Sequence, residues 1–215
     1  MRKQVWLACD PGVGNFAVTV FRYNPNTGGT KMLYCGMLEN PIKNLTSNPV
    51  RNKKRRNKPD LERDEPSFDV GYLLYRNEIE WFFDTFKPTH VVAERFQSRG
   101  RFNSGDQGEL ISLMLGTMFT IAFERRAKFY TTIAGVWKKA FEKQVSANLQ
   151  TVYDYGKMNF GIEPHPIDSA MIGLWHANRE KKWPITKLLK RLRELLIESG
   201  QSCSLPRKSL LRTTV

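Results

Sequence analysis

Short apolar segments separated by turn residues open the chain and predict three β-strands. Residues 4–10 (QVWLACD) are mostly apolar, and the turn sequence PGVGN follows them. Residues 16–23 (FAVTVFRY) are rich in β-branched and aromatic side chains, and the turn sequence NPNTGG separates them from residues 31–38 (KMLYCGML). Short strands joined by tight turns are typical of an antiparallel meander.

Helical and strand-like patterns alternate in the second part of the chain. Apolar positions at helical spacing predict helices at residues 70–86, 108–125 and 167–180. Two short β-rich segments, HVVAE (90–94) and KFYTT (128–132), lie between them. Strands and helices in this order predict an α/β domain in which helices cover the faces of a mixed sheet.

Two segments rich in positive charge lie outside this pattern. Residues 39–69 are polar and charged without a period, and we expect a long exposed loop there. Residues 182–200 place leucines on one stripe and Lys and Arg on the other, which predicts a basic amphipathic helix. We therefore expect one folded domain at residues 1–180, followed at residues 181–215 by this helix and a flexible tail.

The net charge of +13 is concentrated in these two segments. Residues 51–58 (RNKKRRNK) hold six positive charges and no negative charge, residues 179–215 hold ten positive and three negative charges, and the remainder is neutral. This distribution excludes a uniformly basic, histone-like protein and favours nucleic acid as the partner. No apolar run reaches the roughly 18 residues that span a bilayer, so we expect no membrane partner.

Carboxylates stand where predicted strands end and where a predicted helix begins. Asp10 ends the first strand, and Glu94 directly follows the apolar run VVA. In PHPIDSA, Pro166 fits the first helical position, so we expect His165 to cap the helix and Asp168 to lie in its first turn. A structural role stays open for each acid alone, because Asp favours turns and an acid stabilises a helix N-terminus.

Several carboxylates that converge on one site repel one another unless a cation binds them. Oxygen ligands of this kind select Mg²⁺ or Mn²⁺. Two such ions about 3.5–4 Å apart can activate water and stabilise the leaving oxygen in phosphodiester cleavage. The acids therefore favour a metal-dependent hydrolase, provided that the fold brings them together.

Four segments carry a more specific signal: ACDPGVGNFAVTVF, in which a strand ends in D-P-G; HVVAERF; the Lys-rich VWKKAFEKQV; and HPIDSAMIGLWHA. In type and order they resemble the RuvC-type Holliday junction resolvases of the ribonuclease H-like superfamily. The resemblance covers residues 4–180 and implies a ribonuclease H-like, five-stranded mixed sheet flanked by helices. The long basic loop departs from a compact bacterial resolvase and favours a phage or other viral member.

The resemblance implies that Asp10, Glu94, His165 and Asp168 are the catalytic residues and that they hold two Mg²⁺ or Mn²⁺ ions. Many resolvases of this type have Asp at the position of His165, although some have His. The imidazole offers either a nitrogen ligand or a general base, and both roles stay open. Glu163 is a further candidate ligand.

The resemblance also indicates where DNA binds. Lys138 and Lys139 match the basic stretch of the family, and we expect them to contact phosphates. The loop after Glu94 supplies basic side chains and an aromatic side chain for stacking on a base. Its candidates are Arg95, Phe96, Arg99, Arg101 and Phe102. Four more candidates, for duplex phosphates, come from the basic run: Lys53, Lys54, Arg55 and Arg56.

Together these expectations describe a homodimeric endonuclease that resolves four-way DNA junctions by metal-dependent hydrolysis, with one nick per subunit. Two-fold symmetry suits two equivalent strands, and the apolar helix predicted at residues 108–125 is the candidate dimer surface. We expect an intracellular protein of a bacterium or phage-infected host, with an organelle or nucleus as open alternatives. A broader nuclease for branched DNA or RNA–DNA hybrids, and a junction-binding protein without catalysis, also stay open.

Overall fold

A computed structural model of the chain describes residues 3–12, 16–38, 68–95, 105–139, 154, 157–158, 164–179, 190–194 and 197. Within these residues there are five strands: β1 (Gln4–Pro11), β2 (Phe16–Tyr23), β3 (Thr30–Leu38), β4 (His90–Glu94) and β5 (Lys128–Thr132). Helices with defined bounds in these residues are α1 (Phe68–Phe86), α2 (Gly105–Glu124), α3 (Ala134–Lys139) and α4 (Pro164–Asn178). No helix in these ranges is long and apolar enough to cross a membrane.

The strands form one mixed sheet in the order β3-β2-β1-β4-β5. The pairs β1–β2 and β2–β3 are antiparallel, which confirms the predicted meander. The pairs β1–β4 and β4–β5 are parallel. Parallel neighbours need a crossover connection, and α2 lies between β4 and β5 along the chain. The predicted α/β class and five-stranded mixed sheet are therefore confirmed.

The central strand β1 contributes to a core on each face of the sheet. Leu7 and Cys9 pack in one buried cluster with side chains of α1 and α2, whereas Trp6 and Ala8 pack in another with side chains of α4. Successive side chains of a strand point to opposite faces. Asp10 therefore projects from the same face as Ala8, toward α4.

The region after α4 adds to the second core. Residues 190–194 are helical, and Leu192 is buried in the cluster that contains Trp6. Arg191 donates hydrogen bonds to Thr30 at the start of β3 and to Glu194. The predicted division at residue 180 stays a prediction. Of the expected loop at residues 39–69, residues 68 and 69 belong to α1, and the rest lies outside the described residues, as does the chain after residue 197.

His90 belongs to a cluster of stacked rings at the end of the sheet opposite Asp10. Its ring stacks on that of Trp6 with centroids 4.5 Å apart, and Tyr130 and His176 complete the cluster. Burial lowers the pKa of His90 to about 4, and the positive charges of Lys128 and His176 act in the same direction. The folded protein therefore holds this imidazole neutral in conditions where an unfolded chain protonates it.

We expect this cluster to make the protein less stable in mild acid. Between pH 6.5 and about 4 the unfolded chain binds a proton at His90 and the folded chain does not, so the free energy of unfolding falls as pH falls. His90→Phe keeps a ring in the stack and removes the titration. Chemical unfolding at several pH values should show a shallower fall for the variant. The carboxylates contribute equally to both proteins, so parallel curves would contradict the expectation.

Candidate metal centre

The parallel pairing of β1 and β4 places two acids at one level of the sheet. Cys9 lies opposite Ala93. Asp10 follows Cys9 and Glu94 follows Ala93, so the two acids are neighbours at the carboxyl ends of the two strands. Both side chains project from the face that α4 covers, because side chains alternate along each strand. The N-terminal part of α4 then brings His165 and Asp168 to the same edge.

Three of the four expected ligands lie close together. His165 Nδ1 is 2.9 Å from Asp10 Oδ2, and one donor atom each from Asp10, His165 and Asp168 lies within 4.8 Å of the others. Ligands of one Mg²⁺ ion bind at 2.0–2.1 Å, so two of them are at most about 4.2 Å apart. Small side-chain rotations would close the cluster around one ion. The residues present therefore fit a divalent cation with two carboxylates and one imidazole.

Glu94 lies beside this cluster in a half-buried position. Trp137 Nε1 donates a hydrogen bond to Glu94 Oε2 over 2.6 Å. Burial raises the pKa of the Glu94 carboxyl, the charges of Asp10 and Asp168 raise it further, and the Trp137 hydrogen bond and the Lys138 charge oppose these effects. The two aspartates therefore disfavour a charge on Glu94, a repulsion that a bound cation would relieve.

Among the described residues, Lys138 brings a basic side chain close to these acids. Its Nζ is 3.8 Å from Asp168 Oδ2 and 4.9 Å from the centre of the Trp137 ring, and half of the side chain stays exposed. Lys139 and Arg95 are also exposed. A phosphate that reaches the acids would therefore meet a cation at the rim of the site.

The remaining expected contacts lie outside the described residues. They are Phe96, Arg99, Arg101 and Phe102 in the loop after β4, Lys53, Lys54, Arg55 and Arg56 in the basic run, and the candidate ligand Glu163. Their roles stay predictions.

Solved structures of known proteins match this arrangement of strands and helices. Thermus thermophilus RuvC is 16% identical, with a TM-score of 0.54 over 82% of this chain and 95% of that one. The same protein in complex with a Holliday junction substrate gives 15% identity, a TM-score of 0.52, and coverage of 83% and 96%. The chain has a RuvC-like resolvase fold.

The yeast mitochondrial Holliday junction resolvase also has this fold. It is 15% identical, with a TM-score of 0.51 over 90% of this chain and 83% of that one. Neither a protein-family model nor a curated protein matches the sequence. The structural matches establish the RuvC-like fold. At identities this low they do not establish the chemistry, which depends on the side chains of this chain.

The start of α4 differs from the prediction. The helix begins at Pro164, two residues before the expected first position, so His165 is a helical residue and the prediction that it caps the helix is wrong. Asp168 is the fifth residue and lies beyond the first turn. Proline is favourable at the first helical position because an N–H there has no acceptor within the helix, so its absence costs nothing. Both Pro164 and Pro166 fit that position in the sequence.

A buried hydroxyl network that the sequence did not reveal holds the start of α4 against the sheet. Thr19 Oγ1 in β2 lies 2.6 Å from Ser169 Oγ, so one hydroxyl donates to the other, and the carbonyl oxygen of Pro166 lies within hydrogen-bond distance of both. Thr19 interrupts the apolar run FAVTVF, but threonine is an ordinary strand residue and gave no distinct signal. The network fixes the turn of α4 that carries His165 and Asp168.

Proposed function

We propose that this chain is a structure-selective endonuclease that resolves four-way (Holliday) DNA junctions by metal-dependent hydrolysis of phosphodiesters. The observation that carries the proposal is the convergence of donor atoms of Asp10, His165 and Asp168 within 4.8 Å of one another, with Glu94 beside them. The convergence occurs in a RuvC-like fold, and the matched structures include a RuvC bound to a Holliday junction substrate. Such an enzyme would act in DNA recombination and repair, in the cytoplasm of a bacterium or phage-infected host.

The acids and the imidazole have distinct roles in this proposal. Asp10, Glu94, His165 and Asp168 hold one or two Mg²⁺ or Mn²⁺ ions, and the imidazole favours Mn²⁺ more than an aspartate would. When bound, such ions supply Lewis acidity that activates water and stabilises the leaving oxygen. Asp10 accepts a hydrogen bond from His165 Nδ1 when that nitrogen is protonated, which orients the ring.

Basic side chains around the site bind the DNA backbone in this proposal. Lys138 reaches toward a phosphate from its place beside Asp168, and Lys139 and Arg95 extend the positive rim. Such contacts position DNA without reading its sequence. The basic run at 51–58 and the residues after 179 add charge for the flanking arms.

A panel of substrates tests the function. The wild-type protein is incubated with four-way, three-way, flap and RNA–DNA hybrid substrates in Mg²⁺ or Mn²⁺. We expect paired nicks in the four-way junction at a rate that exceeds the others. Equal cleavage of several substrates would favour the broader nuclease. Tight junction binding without cleavage in either metal would favour a binding protein and overturn the proposal.

We propose that the enzyme is a homodimer that associates through α2. Phe119 and Phe123 stack on the exposed side of this helix, 52% and 75% exposed, and Leu113 earlier in the same helix is 37% exposed. Exposed apolar patches of this kind mark interaction sites on proteins. A two-fold dimer would present two equivalent sites to the two equivalent strands of a junction.

Phe123→Asp should shift this dimer to monomer, because an isologous interface would bring the two introduced charges close together and bury them. Sedimentation velocity over a range of protein concentrations measures the change. Leu73→Asp is the matched control, since Leu73 is 55% exposed on α1. A wild-type protein that stays monomeric at micromolar concentration, or an equal effect of both variants, would refute dimerisation through α2.

A further inference from the structure

The short helix α3 contacts two of the four candidate acids through consecutive residues. Trp137 is fully buried in the cluster that α4 covers, and its indole Nε1–H donates to Glu94 Oε2 over 2.6 Å. Lys138 is the next residue, and its Nζ lies 3.8 Å from Asp168 Oδ2. Glu94 belongs to β4 and Asp168 to α4, so α3 connects acids from two separate elements.

The indole is suited to fixing a carboxylate that binds a metal. It is a donor only and does not titrate, so it can occupy one oxygen of Glu94 without competing for the cation. A hydrogen bond to a charged acceptor is about twice as strong as a neutral one. Trp137 cannot easily turn away, because close packing on all sides holds the ring. Only the second oxygen of Glu94 then remains free of this hydrogen bond.

The ring also supports the lysine. Lys138 Nζ lies 4.9 Å from the centre of the Trp137 ring, within the range of a cation–π contact. The same side chain therefore orients Glu94 through its N–H and Lys138 through its π-face.

We propose that Trp137 is a positioning residue, whose indole N–H holds the Glu94 carboxylate in the orientation that binds the divalent cation. This inference rests on the proposed function. A purely structural role predicts that only the packing of the ring matters. A positioning role predicts that the N–H matters for metal affinity even where packing is kept.

Trp137→Phe separates these roles, because phenylalanine keeps a ring and loses the donor. Mn²⁺ binding to the DNA-free protein is measured by electron paramagnetic resonance. Loss of a hydrogen-bond partner behind a metal ligand typically costs 10–100-fold in metal affinity, and we expect a loss in that range. For cleavage, we expect a lower kcat at a fixed, limiting Mg²⁺ concentration with little change in KM for the junction.

Trp6→Phe is the matched control. Trp6 is buried in the same core cluster and donates its own indole hydrogen bond, to Gln4 Oε1 over 2.9 Å, away from the acids. We expect this variant to lose an indole hydrogen bond to a neutral acceptor while Mn²⁺ affinity stays unchanged. Equal losses of Mn²⁺ affinity in the two variants, or no loss in Trp137→Phe, would overturn the inference.

A double-mutant cycle with Glu94→Gln asks whether Trp137 acts through Glu94. If it does, Trp137→Phe has no further effect on Mn²⁺ affinity once Glu94 is replaced, whereas independent effects multiply. An additional loss of the same size in the Glu94→Gln background would contradict the proposed route.

Indole N–H signals of the ¹⁵N-labelled wild-type protein give a measurement that does not depend on Trp137→Phe folding. We expect one indole signal to shift both on addition of Mg²⁺ and in Glu94→Gln. If none of them responds to either change, the inference fails. A wild-type protein that binds Mn²⁺ in this way but cleaves no junction would refute the proposed function and leave the positioning role intact. Junction cleavage by the wild-type protein, together with unchanged Mn²⁺ affinity in Trp137→Phe, would refute the positioning role and leave the proposed function intact.

Discussion

Asp10→Asn is expected to lower the rate of four-way junction cleavage at saturating DNA by about a thousandfold or more. The carboxylate stands at the centre of the site, 2.9 Å from His165 Nδ1 and within 4.8 Å of an oxygen of Asp168. Asparagine keeps the shape and removes the charge that holds a cation. Lewis-acid stabilisation is worth several kcal/mol, and about 4 kcal/mol corresponds to about a thousandfold in rate.

Binding and folding should survive this substitution, which makes the loss specific. Gel-shift assays without a divalent ion should give the wild-type junction affinity or a higher one, because Asp10→Asn removes a negative charge near the phosphates. Asp84→Asn is the matched control, since Asp84 is an exposed acid of α1 paired with Arg125. Cleavage by Asp10→Asn at a rate within tenfold of wild type would show that the assigned site is wrong.

Much of the fold could be predicted because local pattern and tertiary structure agree. The strands at 4–10 and 90–94 read as apolar runs, and both are buried in the middle of the sheet. An acid directly after such a run lies at the carboxyl end of a strand. Since β1 and β4 are parallel neighbours, the two acids meet at one edge. The pattern therefore predicted the strands and the acids at their ends, whereas the pairing of β1 with β4 that brings these acids together is seen only in the fold.

The parts that could not be predicted depend on contacts between distant residues. Trp137 looked like an ordinary apolar residue of a lysine-rich segment, although its N–H reaches Glu94, 43 residues earlier. Thr19 and Ser169 are 150 residues apart, and each alone is an unremarkable residue of its element. His165 lies in the first turn of α4 and not at the cap, and the sequence did not separate Pro164 from Pro166 as the first helical residue. Contacts between side chains this far apart in the sequence produce no periodic pattern from which they could be predicted.

The close approach of α4 to the sheet supplies the second large effect, through Gly173. A Cβ atom at this position would lie 2.7 Å from the Cβ of Ala8 and 2.6 Å from Cε1 of Phe21. Carbon atoms are optimally about 3.5–4.0 Å apart, so alanine would push α4 away from β1 by about 1 Å. Overpacking lowers the free energy of unfolding by about 1–3 kcal/mol. The higher helix propensity of alanine offsets up to about 1 kcal/mol of this loss. We expect Gly173→Ala to lower the free energy of unfolding by up to about 2 kcal/mol.

The same displacement would act on the site, because α4 carries His165 and Asp168 while β1 carries Asp10. A misplacement of about 1 Å can cost about a hundredfold in rate, so Gly173→Ala should reduce junction cleavage by about that factor while the protein still folds. Gly116→Ala in α2 is the matched control, since a Cβ there meets no atom within 4 Å. In dilute solution that variant should be more stable than wild type by about 0.5–1 kcal/mol. Because Gly116 lies on the exposed side of α2, its sedimentation is compared with that of wild type first, and at the same oligomeric state it should cleave normally. Urea unfolding and single-turnover cleavage of both variants give the comparison. If the two alanine variants are equally stable and equally active, the tight contact of α4 with β1 does not set the geometry of the acids.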